Sequence, residues 1–237
     1  MIFQSTLPGL YLNSMKYLLS PWLNRALIIL MLQVPLALRA QSDPWSGWDT
    51  KVIMSLNRAG DTEYYNDEEK KAILFMNMAR YDGPLFSSTF LESYLNEKKL
   101  DNNSYVRSLK RDLKKVSRLS PLVAEKDLTA VAQGHARKSG ENGTTGHDGF
   151  KDRFEPLLGN PYNHVGENCS YGYEKAIDIV ISLLIDEGIK GLGHRNNILS
   201  PDFNSIGVAI RPHKTFRVNC VMDFGSRDRS SMNDLPF

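Results

Sequence analysis

The run Gly193-His194-Arg195-Asn196-Asn197-Ile198-Leu199, taken with Gly166-Glu167-Asn168, restricts what this chain can fold into more than any other part of it. Each motif sets an ionisable side chain among residues suited to turns and strand ends, which is how proteins build small polar sites. Between them, Glu174 to Glu187 is apolar nearly all round, through Ile177, Ile179, Val180, Ile181, Leu183, Leu184 and Ile185. A helix of that kind is predicted to be covered on most sides.

The flanking pattern supplies the other elements. Asn66 followed by Asp67-Glu68-Glu69 predicts a helix start, with a cap and acids at the positive end of the dipole. That helix is predicted to stop at Asp82-Gly83-Pro84, and a second, short one to cover Thr89 to Leu95. A basic amphipathic helix is expected within Lys98–Arg118, its charges forming a solvated face. Leu128, Val131, Ala132, His135 and Ala136 fall at i, i+3, i+4, i+7 and i+8, one face of a helix from Glu125 to Ser139. A turn-rich loop carrying His147 follows. Strands are predicted over Val165–Tyr173, Ser205–Arg211 and Thr215–Phe224. Helices around a few late antiparallel strands make one α+β domain.

The N-terminus reads as a leader rather than as fold. Ala26 to Leu38 is an apolar run of signal-peptide length, short for a bilayer span, with Lys16 and Arg25 before it and Leu38-Arg39-Ala40 as a cleavage site. Residues 1–40 are therefore expected to be removed and the protein exported to a periplasmic or extracellular space, with no retained membrane span. Residues 41–66 read as an irregular entry segment. Removal of the leader takes away three basic residues and no acid, so the formal charge of +2 falls to −1. No overall attraction to nucleic acid is left. The two cysteines, Cys169 and Cys220, can pair in an exported protein if their strands are neighbours; otherwise both are small buried hydrophobes.

Met78-Ala79-Arg80, His147, Gly166-Glu167-Asn168 and Gly193-His194-Arg195 with Asn197-Ile198-Leu199, in that order, resemble the CAP (or SCP) superfamily of cysteine-rich secretory proteins, antigen 5 and pathogenesis-related proteins. Asp223-Phe224-Gly225 resembles the last strand of bacterial members, and the disulfides of animal and plant members have no counterpart here. The resemblance covers about residues 67–225, leaving 226–237 as a tail. It implies an α-β-α sandwich with a small antiparallel sheet between helical layers. It also implies a cleft of two histidines, His147 and His194, and two acids: Glu167, and one of Asp186 and Glu187.

Such a cleft can hold zinc or another divalent cation, with the histidines as ligands and the acids as further ligands or orienting groups. The favoured reading is a secreted, non-catalytic binding module for a divalent metal, a lipid or a cell-envelope component. The alternative is a metal-dependent hydrolase in which Glu167 is the base. His135, on an apolar helical stripe, reads as a hydrogen-bonded core histidine. Arg195 is expected to cap carbonyls or pair with Asp202.

Overall fold

The computed structural model describes residues 43–228, so the expected leader and the end of the tail lie outside the described residues. Helix α1 (Thr50–Leu56) falls where an irregular segment was expected. Asp49 caps it by accepting from the backbone N–H of Lys51 at 2.7 Å and of Val52 at 3.3 Å, and Leu56 is buried beneath it. Helix α2 (Asp67–Tyr81) starts at a reciprocal capping box: Glu69 donates its backbone N–H to Asn66 at 2.9 Å, and Asn66 returns its own to the Glu69 carboxylate at 2.8 Å.

The expected stop at Asp82-Gly83-Pro84 is also a start. Asp82 caps α3 (Gly83–Phe86) through the Leu85 N–H at 2.9 Å, and Pro84 sits in the first turn, where its missing N–H costs nothing. The helix then widens into a π-turn over Ser87–Leu91 and continues as α4 (Glu92–Lys98). The basic helix, α5 (Ser104–Leu113), is shorter than its charge run. It buries Val106, Leu109 and Leu113, and Lys110 pairs with Glu92 at 2.6 Å on the solvated side.

The remaining elements are β1 (Val123–Ala124), α6 (Lys126–Asn142), α7 (Phe150–Phe154), β2 (Tyr162–Tyr171), α8 (Ala176–Ile185), α9 (Gly193–Leu199), β3 (Ser205–His213) and β4 (Arg217–Arg227). They form a sheet in the order β1-β3-β4-β2, with β2 at an edge. The pairs β2–β4 and β3–β4 are antiparallel, as expected, but β1 runs parallel to β3. The sheet is therefore mixed. The chain leaves β1 straight into α6 and returns to β3 only after a long crossover, the connection that parallel neighbours need.

Helices cover both faces, giving an α-β-α sandwich. On one face Ile206, Val208, Cys220, Met222 and Phe224 share a core with α2 and α8. On the other, Ala132 and Ala136 of α6 rest on Cys169, Ala209 and Val221. The register decides the cysteine question. Cys169 stands opposite Val221, and Cys220 opposite Ser170, so the two thiols point to opposite faces of the sheet. Both are free and buried. A disulfide would have to pass through the sheet, so the pairing that the sequence left open is not made.

Candidate functional site

Glu167 lies on β2 with its side chain toward α6 and is buried. Arg153 at the end of α7 donates to both of its oxygens, at 2.6 and 3.0 Å, and His147 Nδ1 lies 2.8 Å from Oε1. Burial alone would raise the Glu167 pKa, but hydrogen bonds from His147 and Arg153 and the Arg153 charge more than offset it and bring the value to about 2. The carboxylate is thus an acceptor only, so His147 donates from Nδ1. The loop between α6 and α7 that presents His147 is bracketed by Gly146 and Gly149, with φ of +94° and +67°, values that favour glycine.

The second pair forms around the end of α8. His194 Nδ1 lies 2.7 Å from Asp186 Oδ1, while the backbone N–H groups of His194 and Arg195 donate to Oδ2 at 2.9 and 3.2 Å. Of the two acids offered by the sequence, Asp186 is the one brought to a histidine. Glu187 turns away and accepts from Asn103 at 3.0 Å. A continued helix would set Glu187 on the Ala176–Val180–Leu184 face, but α8 ends at Ile185. Asp186 takes a left-handed φ of +56°, so the projection no longer applies beyond it.

Asn168 connects the two pairs. It neighbours Glu167 but faces the opposite side of the edge strand, where it donates to the His194 carbonyl at 3.0 Å and accepts from Asn197 at 2.8 Å. The His147–Glu167 and His194–Asp186 pairs therefore flank β2 at the open edge of the sheet. Among the described residues no hydrogen bond or ion pair joins His147 to His194, and none engages the Nε2 of either ring. Arg195 belongs to the scaffold. It is fully buried, donates to the carbonyls of Leu184 and Ile185 at 2.6 and 2.8 Å, and pairs with Asp112 at 2.9 Å rather than with Asp202.

Three contributors were not legible in the sequence as site residues. Arg153 carries no motif. Asp223 lies directly across the ladder from Glu167, on the same face, and neither of its oxygens has a hydrogen-bond partner. Its one signal is the Asp223-Phe224-Gly225 run, which the resemblance gave as a strand and not as a site. His135 is the buried histidine expected, bonded through Nε2 to the Gly146 carbonyl at 2.9 Å, yet it also lies 3.9 Å from Glu167. One set of three ligand atoms lies within 4.8 Å of one another among the described residues: those of His135, Glu167 and Cys169.

Burial, then the charge of Glu167, pushes the Asp223 carboxyl well above its usual value of 3.8. The native state thus keeps a proton that the unfolded chain releases, and stability falls as pH rises from that value toward the native one. Above about pH 5 Glu167 is charged in both states and adds no slope. In chelator, Asp223→Asn is expected to remove a decline of up to about 1.4 kcal/mol per pH unit. Urea unfolding from pH 5 to 8 checks this; wild type and variant with parallel profiles would mean that Asp223 is ionised in the fold.

A model of the cysteine-rich secretory protein family matches residues 77–224. Solved structures that are similar include these two. An outer surface protein from Borrelia burgdorferi aligns over 54% of this chain and 97% of its own, at 22% identity and a TM-score of 0.40. Venom allergen-like protein 4 from Schistosoma mansoni aligns over 69% of this chain and 91% of its own, at 11% identity and a TM-score of 0.44. No curated protein matches.

Proposed function

Because this chain belongs to the cysteine-rich secretory protein (CAP) family, we propose that it works as an exported, non-catalytic binding module whose cleft holds a divalent cation between His147 and His194. The observation that carries this reading is the pairing of each imidazole with a carboxylate at Nδ1, Glu167 for one and Asp186 for the other. Such a bond fixes the tautomer with the proton on Nδ1 and turns the lone pair of Nε2 outward, the arrangement found behind metal-bound histidines. Neutral imidazole nitrogen suits zinc, and a bound ion would act as a Lewis acid toward a ligand oxygen. A lipid or an envelope component is the larger ligand this module would take. Export rests on the apolar leader. No helix among the described residues is long and apolar enough to cross a membrane.

The alternative, a metal-dependent hydrolase, requires Glu167 as a base. A carboxyl whose pKa is brought down to about 2 holds a proton poorly at neutral pH, and three hydrogen bonds already occupy its oxygens. That favours the orienting role.

Zinc titration followed through the histidine ring nitrogens by NMR tests the proposal. The Nε2 signals of His147 and His194 are expected to move together, with one saturation point. His194→Ala should abolish the zinc-induced shift at His147, or weaken it at least tenfold. Movement of only one ring, or of neither, would refute a shared ion.

A further inference from the structure

A second group of donors lies inside the molecule, between α6 and the sheet. We propose that His135, Glu167 and Cys169 form an interior thiolate site for a zinc-class divalent cation, distinct from the cleft ion although it shares the Glu167 carboxylate that orients His147, and independent of His194. The three ligand atoms lie within 4.8 Å of one another. The Gly146 carbonyl closes the group, 2.9 Å from His135 Nε2 and 3.6 Å from Cys169 Sγ. Four donors around a tetrahedral zinc stand roughly 3.3–3.8 Å apart. The Gly146 distances, and the 3.9 Å from His135 Nε2 to Glu167 Oε1, lie near that range, so small side-chain shifts complete the shell.

A separate observation points to a cation here. Asp223, fully buried beside the Glu167 charge, has no hydrogen-bond donor on either oxygen and stays protonated. A cation held by Glu167 would neutralise that charge and relieve the repulsion that keeps Asp223 from ionising. A cavity of about 390 Å³, bordered by His135, Gly134, Asp152 and Arg153, lies on the solvent side of the group. Arg153 is the group that must yield, since it now holds Glu167 from the cavity side.

The donor set selects the metal. One sulfur, one imidazole and one carboxylate suit zinc or cobalt and exclude the hard cations calcium and magnesium, which take oxygen cages. Uptake releases the Cys169 thiol proton to solvent and moves the His135 proton from Nε2 to Nδ1, leaving Nε2 to coordinate. No electron is transferred.

Cobalt(II) gives the test, because only a thiolate ligand produces an intense near-ultraviolet sulfur-to-cobalt charge-transfer band. The band is expected in the wild type, in His194→Ala and in Cys220→Ser, whose thiol lies on the other face. It is expected to be lost in Cys169→Ser and weakened at least tenfold in His135→Ala. A wild type without the band, or a band that follows Cys220, overturns the interior site. Loss of the band in His194→Ala would merge it with the cleft and overturn its independence. If Cys169→Ser does not fold, alkylation of the native wild type with and without zinc serves instead. Zinc should slow labelling of Cys169 at least tenfold more than labelling of Cys220, and equal slowing refutes the proposal.

Discussion

Replacing Arg80 by alanine is expected to cost about 4–6 kcal/mol, a large part of the stability of a domain this size. Arg80 is fully buried, and all five of its N–H donors are used on backbone carbonyls. Nε and Nη2 donate to Ser120 at 3.1 and 2.8 Å, Nη2 also to Phe203 at 2.7 Å, and Nη1 to Ile198 and Ser200 at 2.8 and 2.7 Å. Among the described residues no carboxylate pairs with it. Burial lowers its pKa only to about 10, so it stays charged at neutral pH. Two of these acceptors lie at the C-terminal end of α9, where helix carbonyls have no partner of their own and the dipole favours a cation. Truncation strands four carbonyls, each at about 1–3 kcal/mol. Urea unfolding midpoints measure the loss. Arg80→Lys keeps the charge but brings three donors in place of five, so it should recover less than half. An alanine variant within about 1 kcal/mol of wild type would show that the carbonyls find water instead.

That anchor also explains why the opening motifs of this chain could be read at a distance. Met78-Ala79-Arg80 and Asn197-Ile198-Leu199 are far apart in sequence because one supplies the donors that close the other's helix. Features set by local rules were legible. The stripe from Leu128 to Ala136 became the buried side of α6, and the strand predicted over Thr215–Phe224 became most of β4, with Cys220, Met222 and Phe224 alternating on the face toward α2 and α8. The resemblance led to the histidines and to Glu167. What escaped depends on long-range register or on unusual backbone. The choice between Asp186 and Glu187 turned on one left-handed residue. Whether Cys169 could reach Cys220 turned on a one-residue offset across the ladder. Asp223 lies on the face of β4 opposite the alternating apolar stripe, and nothing local says that α6 will bury that face too.

Gly207→Ala is expected to be a severely damaging addition of a single methyl group, at about 3 kcal/mol, near the top of overpacking penalties. A Cβ at that position would stand 2.2 Å from the Leu128 carbonyl carbon, 2.3 Å from the Thr129 nitrogen and 2.5 Å from the Leu128 oxygen. All three are backbone atoms of the first turn of α6, so no side chain can rotate aside and the helix itself must lift. In a domain of this length that corresponds to a drop of about 6–12 °C in melting temperature. The site would feel it too, because Gly207, Asp223 and Glu167 form one row across β3, β4 and β2, all facing α6. Lifting the helix admits water to Asp223 and should flatten the pH dependence that its burial creates. Gly134→Ala supplies the contrast: it lies inside α6 with nothing within 4 Å of an added Cβ, and should raise stability by up to about 1 kcal/mol. Calorimetry of the two variants separates the cases. Equal melting temperatures would mean that α6 does not press on the sheet at Gly207, and the enclosed row of acids beneath it would lose its cover.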